Sequence, residues 1–339
     1  MRLAGSVRAT ARAVLVVSVA AVAAACASGP GAPTITVGAG DSVQSEVLAE
    51  IYAQALARSG TSAVTRKHLG QRADYLAALD AGTITVVADT SGDLLTTFDS
   101  SSAATAPDQD TATAVARQRT TASGRGADSP AGAAAGPDVV SVADDLSRSV
   151  PAGLAVSDIA DGIDLRPQFA LSPAAAARYP ADLAHLGPEC AQLSVGIATG
   201  HELDPLRTPP DPGRDVLIPL REVYGCDITR HTEFDSDVQL RQALFDGRVD
   251  AGVFTSAVGL LPGGAGDLVV AGDPEYAFRA RNVIPLLRQG ELDQQQLKKL
   301  NYVAGELTTA EFTEIVRSVR DEHASAADLA RGWLDAHSL

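Results

Sequence analysis

Apolar and polar residues alternate along the chain with two periods, one typical of strands and one typical of helices. "TITVGAG" (34–40) predicts a short strand that runs into a glycine-rich turn. Over residues 41–60, apolar residues recur at helical spacing, with Asp41 or Ser42 placed to cap the helix and Gly60 to end it. Strands and helices continue to alternate over most of the chain, which predicts an α/β fold with a mostly parallel sheet.

A helix–glycine–strand unit occurs twice. "LAALDAGTITVV" (76–87) and "RQALFDGRVDAGVF" (241–254) both read as the end of a helix, a glycine and a strand rich in β-branched residues. Ligands of open α/β sheets bind beyond the carboxyl ends of the strands, where loops and helix N-termini offer free N–H groups. We therefore expect two lobes built on one plan, facing each other across a shared cleft.

The composition changes between residues 99 and 137, which are mostly Ser, Thr, Ala, Gly and Pro with almost no large apolar side chain. Such a segment buries too little apolar surface to offset the entropy lost on ordering. We predict a mobile surface insertion here. A short helix around residues 111–119 remains open.

The C-terminal segment has the pattern of consecutive helices. Thr308 and Glu311 form a capping-box motif, and Ser325 with Asp328 opens a further helix in a similar way. Helical spacing places Trp333, the single tryptophan, on the apolar face of the last helix. We expect Trp333 to be a packing residue rather than a platform for a ligand.

Residues 1–26 have the layout of a bacterial lipoprotein signal peptide. Three arginines precede an apolar run at 13–25 that is too short for a membrane span, and small residues precede Cys26. Cleavage would leave Cys26 to carry lipid, with 27–33 as a tether and the protein anchored on the outer face of the cell membrane. Ala23 stands where a bulky aliphatic residue is usual, so an ordinary cleaved secretory signal is the alternative. Both interpretations place the mature protein outside the cytoplasm.

The two other cysteines, Cys190 and Cys226, are an even pair in an oxidising compartment. We predict a disulfide between them, with two separate buried thiols as the alternative. No CxxC motif occurs, and no spacing of Cys and His suits zinc, so we expect neither a metal nor a cofactor. A net charge of −15 with no basic stripe argues against a nucleic-acid partner.

The motifs of several enzyme classes do not occur in the sequence. It contains no GxSxG, HExxH or SxxK and no glycine-rich phosphate loop. His201 and Glu202 lack the second histidine that a zinc site of this kind needs. We therefore expect no enzymatic activity, although an extracytoplasmic enzyme is kept as the weakest of the alternatives.

Several collinear stretches resemble the substrate-binding proteins of glycine betaine, carnitine and choline importers of the ABC class. They include "ITVGAGDSVQSEVLAEIYAQALARSG", "LAALDAGTITVVADTSGDLL", "PLREVYG", "FRARNVIPLLR", "LNYVAGELTTAEFTEIVRSV" and "ADLARGWLDAHSL". The resemblance implies a two-lobed periplasmic-binding-protein fold of type II with two crossovers. Lobe one would comprise 34–158 and 257–339, and lobe two 159–256. It also implies a small zwitterionic osmolyte as ligand, with an ABC permease and ATPase as partners.

The sequence departs from this family where the ligand's cation would bind. Members usually hold a quaternary ammonium among aromatic rings, each worth about 0.5–2 kcal/mol of cation–π attraction. Where the first pocket loop usually has a Lys and a Phe, this chain has Gly40 and Ser42; where two Tyr follow the third strand, it has Val87 and Thr90. A receptor for another polar, amino-acid-like solute, or a sensor without a transporter, is therefore the alternative to an osmolyte receptor.

Polar residues at the predicted strand ends and crossovers form the candidate ligand site. An arginine there, Arg207 or Arg281, could clamp a carboxylate bidentately. Helix caps, turns and surface charges are the ordinary structural roles of the same residues. The full predicted set is Asp41, Ser42, Asp89, Thr90, Ser91, Thr199, His201, Arg207, Thr255, Ser256, Tyr276, Phe278, Arg281 and Asn282.

Overall fold

In the computed structural model, which describes residues 34–122, 140–157 and 162–339, the strands form two five-stranded sheets. The strands are β1 (Ile35–Gly38), β2 (Ala63–Arg66), β3 (Val86–Thr90), β4 (Leu154–Val156), β5 (Gln168–Leu171), β6 (Val195–Ala198), β7 (His231–Phe234), β8 (Ala251–Phe254), β9 (Val269–Val270) and β10 (Val283–Arg288). Their order is β2-β1-β3-β10-β4 in the first sheet and β7-β6-β8-β5-β9 in the second. Each sheet is the centre of one lobe.

The connections between strands are mostly helical, as the alternating pattern predicts. The helices are α1 (Val43–Arg58), α2 (Arg72–Asp80), α3 (Ser91–Phe98), α4 (Gln109–Ala122), α5 (Val142–Ser149), α6 (Pro173–Ala176), α7 (Leu183–Leu186), α8 (Ile218–Tyr224), α9 (Asp237–Phe245), α10 (Gln294–Glu306), α11 (Thr309–Glu322) and α12 (Ala326–Ala336). Helix α1 packs against the first sheet and also against the C-terminal helices α10, α11 and α12. The C-terminal part of the chain thus completes the first lobe.

The two sheets repeat one plan. In the first, β1 is parallel to both β2 and β3, and β10 is antiparallel to β3; in the second, β6 is parallel to both β7 and β8, and β5 is antiparallel to β8. The glycine between helix and third strand has the same left-handed backbone in both, with φ of 69° at Gly82 and 67° at Gly247. Only glycine adopts this conformation without cost. The predicted repetition of the helix–glycine–strand unit is confirmed.

The chain passes between the sheets twice, from β4 to β5 and from β9 to β10. The second passage comes later than predicted, because β9 pairs with β5 through Ala170 and Leu171 and so belongs to the second sheet. Before β9, however, the turn Val258–Leu260 packs against α11 of the first lobe, close to the predicted boundary after residue 256. The sequence "DLVVAGD" predicts a strand, but a strand of two residues does not indicate which other strand it pairs with. The two-lobed fold with two crossovers is confirmed.

The first part of the predicted mobile insertion is structured. Helix α4 extends beyond the short helix left open by the sequence, and Ala112 on it is buried. Arg119 places its Nε 3.1 Å from the Glu275 carboxylate, which fixes the helix to the rest of the fold. Small side chains allow this helix to pack closely against the rest of the fold. The lack of large apolar residues therefore does not indicate a mobile segment over 99–122. Residues 123–137 of the predicted insertion lie outside the described residues.

A disulfide joins Cys190 to Cys226, as predicted, with 5.1 Å between the two Cα atoms. Both cysteines are fully buried in the core of the second lobe. Cys190 lies before β6 and Cys226 before β7, which are adjacent strands. The covalent link therefore ties together two neighbouring connections of the second lobe.

The predicted helix starts near the C-terminus are confirmed. The Thr308 hydroxyl accepts a hydrogen bond from the Glu311 N–H while the Glu311 carboxylate accepts one from the Thr308 N–H. Ser325 caps α12 by accepting from the Asp328 N–H. Trp333 is 7% exposed and lies in the core, so it is the packing residue that the spacing predicts.

The proposed signal peptide 1–26, its Cys26 and the tether 27–33 lie outside the described residues. Across the ranges that the structure describes, none of the helices is both long and apolar enough to cross a membrane.

Candidate functional site

Three arginine side chains converge on Asp93, at the first turn of α3. The Arg281 Nε lies 3.1 Å from Asp93 Oδ1, and Arg72 Nη2 and Arg207 Nε lie 3.6 Å and 3.9 Å from Oδ2. Arg72 and Asp93 belong to the first lobe, Arg281 lies two residues before β10, and Arg207 comes from the long loop after β6 in the second lobe. We call Arg72, Asp93, Arg207 and Arg281 the arginine cluster. It joins the two lobes at the cleft between them.

The local sequence explains why Asp93 lies there. Strand β3 ends at Thr90 and α3 begins at the next residue, so the turn between them is very short. Gly92 faces the carbonyl oxygen of Ala280 so closely that a Cβ would overlap it. A glycine is thus required for the segment before β10 to approach α3, and this approach brings Arg281 to Asp93.

Asp89, at the end of β3, is already satisfied within the first lobe. Arg72 donates to both of its carboxylate oxygens, Nε to Oδ2 and Nη2 to Oδ1, each at 2.9 Å, and the Tyr75 hydroxyl donates to Oδ2 as well. Burial lowers the pKa of Arg72, but Asp89 outweighs this and raises it overall. Burial also raises the pKa of Tyr75, which keeps its hydroxyl protonated as a donor. Asp89 is therefore an internal partner of Arg72.

Several buried polar atoms at the cluster lack hydrogen-bond partners among the described residues. They include Nε of Arg207, Nη1 of Arg281 and the side-chain oxygen of Asn282. The Arg281 Nε is close to Asp93 but is not aligned for a hydrogen bond with it. Arg207 is only 8% exposed, and its Nη1 donates to the Thr255 carbonyl oxygen. Unpaired guanidinium N–H groups of this kind are suited to an anion with several acceptor atoms.

Two buried carboxyl groups of the second lobe lie near Arg207. Asp204 is 7% exposed, and burial raises its pKa to about 6. Burial likewise raises the pKa of Asp237 to about 6, although its two oxygens accept from the Thr255 N–H at 2.8 Å and hydroxyl at 2.7 Å. These residues add negative charge to the second-lobe side of the cleft.

The loop between β6 and α8 closes the cleft. Arg72 Nη1 donates to the Leu206 carbonyl at 3.0 Å, and the Gln44 side chain donates to the Leu203 carbonyl. The Leu206 side chain packs against the first lobe beside Gly40, whose missing Cβ leaves room for it. The space beside Asp204 and Arg207 has no volume that a water molecule could occupy. The structure is thus a closed arrangement of the two lobes.

Some of the predicted site residues meet at the arginine cluster and some do not. Thr90 donates through its hydroxyl to Asp93 Oδ2 at 2.8 Å, and Thr255 contacts Arg207. The predicted residues that the structure brings to the cluster or directly beside it are Asp89, Thr90, Ser91, His201, Arg207, Thr255, Arg281 and Asn282.

The remaining predicted residues have structural roles. Ser42 caps α1 by accepting from the Ser45 N–H at 3.1 Å, and Asp41 accepts from the Gly70 N–H at 3.3 Å. Thr199 and Ser256 donate to backbone carbonyls, those of Phe234 and Leu165. Phe278 is 2% exposed in the core of the second lobe, and the Tyr276 ring is covered by the Arg166 guanidinium, 4.1 Å from its centre. Packing therefore occupies the Phe278 ring, and the stacked guanidinium occupies one face of the Tyr276 ring.

The sequence-based site missed Arg72, Asp93 and Asp204. Asp93 stands directly before two buried leucines in "ADTSGDLL", and an acidic residue in the first turn of a helix is an ordinary feature. Arg72 opens a helix that reads as an ordinary connection. The signal in the sequence that could have indicated Asp93 as a site residue is a charged residue directly next to fully buried ones. Over the described ranges, no group of three or more His, Cys, Asp and Glu could hold a metal ion.

Residues 33–159 match the family described as the substrate binding domain of the ABC-type glycine betaine transport system. The predicted resemblance to this family is confirmed. Two solved structures share the fold over 90% of this chain: a glycine betaine/carnitine/choline ABC transporter protein (15% identity, 98% of that chain, TM-score 0.63) and apo YehZ from Escherichia coli (16% identity, 99% of that chain, TM-score 0.64). At these identities the likeness establishes the two-lobed solute-binding fold alone. No curated protein matches the chain.

Proposed function

We propose that this protein is the extracytoplasmic substrate-binding component of an ABC importer, and that its ligand is a small zwitterion held by its carboxylate between Arg207 and Arg281. The family match of residues 33–159 supports the transport role. The observation that carries the ligand class is the set of buried guanidinium N–H groups without hydrogen-bond partners in the described protein, on Arg207 and on Arg281.

The charges of the cluster support a carboxylate. Arg72 is committed to Asp89 by two hydrogen bonds of 2.9 Å. Asp93 is then shared by Arg207 and Arg281, and the Nε groups that face it are not hydrogen-bonded to it. Leaving a buried charge without a full set of partners is costly, and a bound carboxylate removes this cost. The two arginines approach from different lobes, so the ligand would favour closure over separation.

The aromatic residues near the cleft do not favour a quaternary ammonium cage. The Tyr75 hydroxyl is bonded to Asp89, the Tyr276 ring is covered by Arg166, and Phe278 lies in the core. Glycine betaine and its relatives keep the carboxylate that the arginines would bind, but their methylated cation would meet few rings. Zwitterions in general, rather than betaines in particular, are therefore the proposed class.

A lipid anchor at Cys26 belongs to the same proposal, with permease and ATPase subunits as partners in the membrane. The supporting feature is the signal pattern of residues 1–26. Replacing Cys26 by Ala should move the protein from the membrane fraction to the soluble extracytoplasmic fraction. Retention in the membrane by Cys26→Ala would refute lipidation at this residue.

Calorimetric titration of the mature protein with a panel of carboxylate zwitterions tests the ligand class. Arg281→Lys keeps the charge but loses the planar fork, and should weaken binding by about 30-fold, as expected when a buried charge pair loses its geometry. Arg178→Lys is the matched control, since Arg178 is an exposed second-lobe arginine with a side chain 57% accessible. A panel in which neutral or purely cationic solutes bind and zwitterions do not would contradict the proposal.

A further inference from the structure

We infer that the ligand's cationic end is an ammonium carrying N–H groups, recognised by the carboxylate of Asp204, so that this cleft selects amino-acid-like zwitterions over their N-trimethylated betaines. The inference rests on the proposed function, because it assigns the second half of the same ligand.

Asp204 is a buried carboxylate with few partners. Its Oδ1 accepts from the Leu206 N–H at 3.2 Å, and it forms no ion pair with any of the described residues. Arg207, the nearest cation in sequence, directs Nη1 to the Thr255 carbonyl and Nε toward Asp93 instead. Asp204 is therefore a carboxylate of the cleft without a dedicated cation; Asp237 has none among the described residues either, but its two oxygens are occupied by Thr255.

The position of Asp204 fits a zwitterion whose other end binds the arginine cluster. Asp204 and Arg207 lie one turn apart, joined by a hydrogen bond from the Arg207 N–H to the Asp204 carbonyl at 3.1 Å. Both side chains line the same narrow space, together with Thr255 and Gly200. A negative and a positive group side by side on one loop match the two charges of a small zwitterion.

The type of cation follows from what a carboxylate can offer. An ionised carboxylate is an acceptor only, and an ammonium group with N–H bonds supplies donors for its free lone pairs. A trimethylammonium group has no donor and depends on aromatic faces. No Phe, Tyr or Trp is among the residues that line the space around Asp204 and Arg207. Methylation of the ligand nitrogen would leave Asp204 buried and unpaired.

Protonation of Asp204 provides an independent readout. Burial raises the pKa of Asp204 to about 6, and the nearby negative charge of Asp93 adds to this rise. The charges of Arg207 and Arg72 and the hydrogen bond from the Leu206 N–H oppose it. Only the ionised carboxylate can hold an ammonium, so affinity should fall as the pH drops below about 6. Asp204→Asn should lose the part of this pH dependence that Asp204 contributes and keep the part due to Asp237, whose pKa burial also raises to about 6.

The test is a calorimetric titration with matched series that differ only in N-methylation. The probes are glycine, N-methylglycine, N,N-dimethylglycine and glycine betaine, followed by L-alanine and L-proline with their fully N-methylated forms. We expect affinity to fall with each methyl group, by about tenfold or more over a whole series. Asp204→Asn should remove most of this preference, and Asp267→Asn, which alters an exposed carboxylate of the same lobe, should not. Arg281→Lys should weaken the binding of every member of these series.

The outcomes separate the two proposals. Equal or rising affinity with methylation, with Arg281→Lys still weakening all members, overturns the role of Asp204 and leaves the carboxylate site standing. A failure of every zwitterion to bind, or an Arg281→Lys variant that binds them all unchanged, overturns the proposed function as well. Melting curves of the unliganded variants establish that each one is folded.

Discussion

Replacing Asp204 by Asn should make the ligand-free protein more stable at neutral pH but not in acid. The carboxyl group is 7% exposed, and burial raises its pKa from 3.8 to about 6. A group with a raised pKa binds its proton more tightly in the folded state, so the unfolding free energy decreases as the pH rises from 3.8 through about 6. Asn has no proton to lose, so the variant avoids this decrease.

The magnitude follows from the shift. At about 1.4 kcal/mol per pH unit, ionising Asp204 costs about 3 kcal/mol of folding free energy above pH 7 and about 1 kcal/mol at pH 4.5. The Asn side-chain oxygen can keep the hydrogen bond from the Leu206 N–H, which is 3.2 Å long in the wild type. The advantage of Asp204→Asn should therefore grow by about 2 kcal/mol between pH 4.5 and pH 7.5.

Urea unfolding followed by the fluorescence of Trp333 measures this difference at both pH values. Asp267→Asn removes an exposed carboxylate from the same lobe and should give the same pH dependence as the wild type. Comparing variants cancels the opposite contribution of carboxyl groups with lowered pKa, such as Asp250 and Glu311. An Asp204→Asn advantage that is equal at the two pH values would refute the assignment of a buried, destabilising charge.

Three further changes test the scaffold. Reduction of the Cys190–Cys226 disulfide, which spans 36 residues, should cost about 3–4 kcal/mol and lower the urea midpoint; an unchanged midpoint would contradict this. Gly92→Ala should cost more than about 2 kcal/mol in the same assay, because its Cβ would overlap the Ala280 carbonyl oxygen. Gly332→Ala places a Cβ in α12 where it meets nothing within 4 Å, so the higher helix propensity of Ala should raise the unfolding free energy by about 1 kcal/mol by calorimetry. A lower unfolding free energy would contradict this.

The parts of the fold that the sequence predicts well are those that local chemistry decides. The serine cap of α1, the capping box at Thr308 and the two left-handed glycines, Gly82 and Gly247, each depend on a few neighbouring residues. The disulfide could also be predicted, because setting Cys26 aside leaves two cysteines and hence a single pairing. In these cases the residue type and its immediate neighbours determine the structure.

The parts that could not be predicted depend on contacts between distant segments. Asp93 and Arg207 are far apart in the chain and meet only because the two lobes close on each other. From the sequence alone, Asp93 is indistinguishable from a turn residue and Arg72 from a surface charge. The ordering of 99–122 has the same cause, since Ala112 is buried against residues that the composition of the segment does not reveal.

The replacement of rings by charges changes how the cleft can discriminate between ligands. An aromatic cage attracts a diffuse cation gradually, by about 0.5–2 kcal/mol per ring, and tolerates related cations. A cleft of buried arginines with Asp204 instead penalises any ligand that fails to pair a charge, because the unpaired group stays desolvated. Sites that hydrogen-bond a ligand group reject analogues lacking it far more strongly than apolar pockets reject a missing methylene. On the proposed assignment, a solute must therefore supply a carboxylate and N–H donors together.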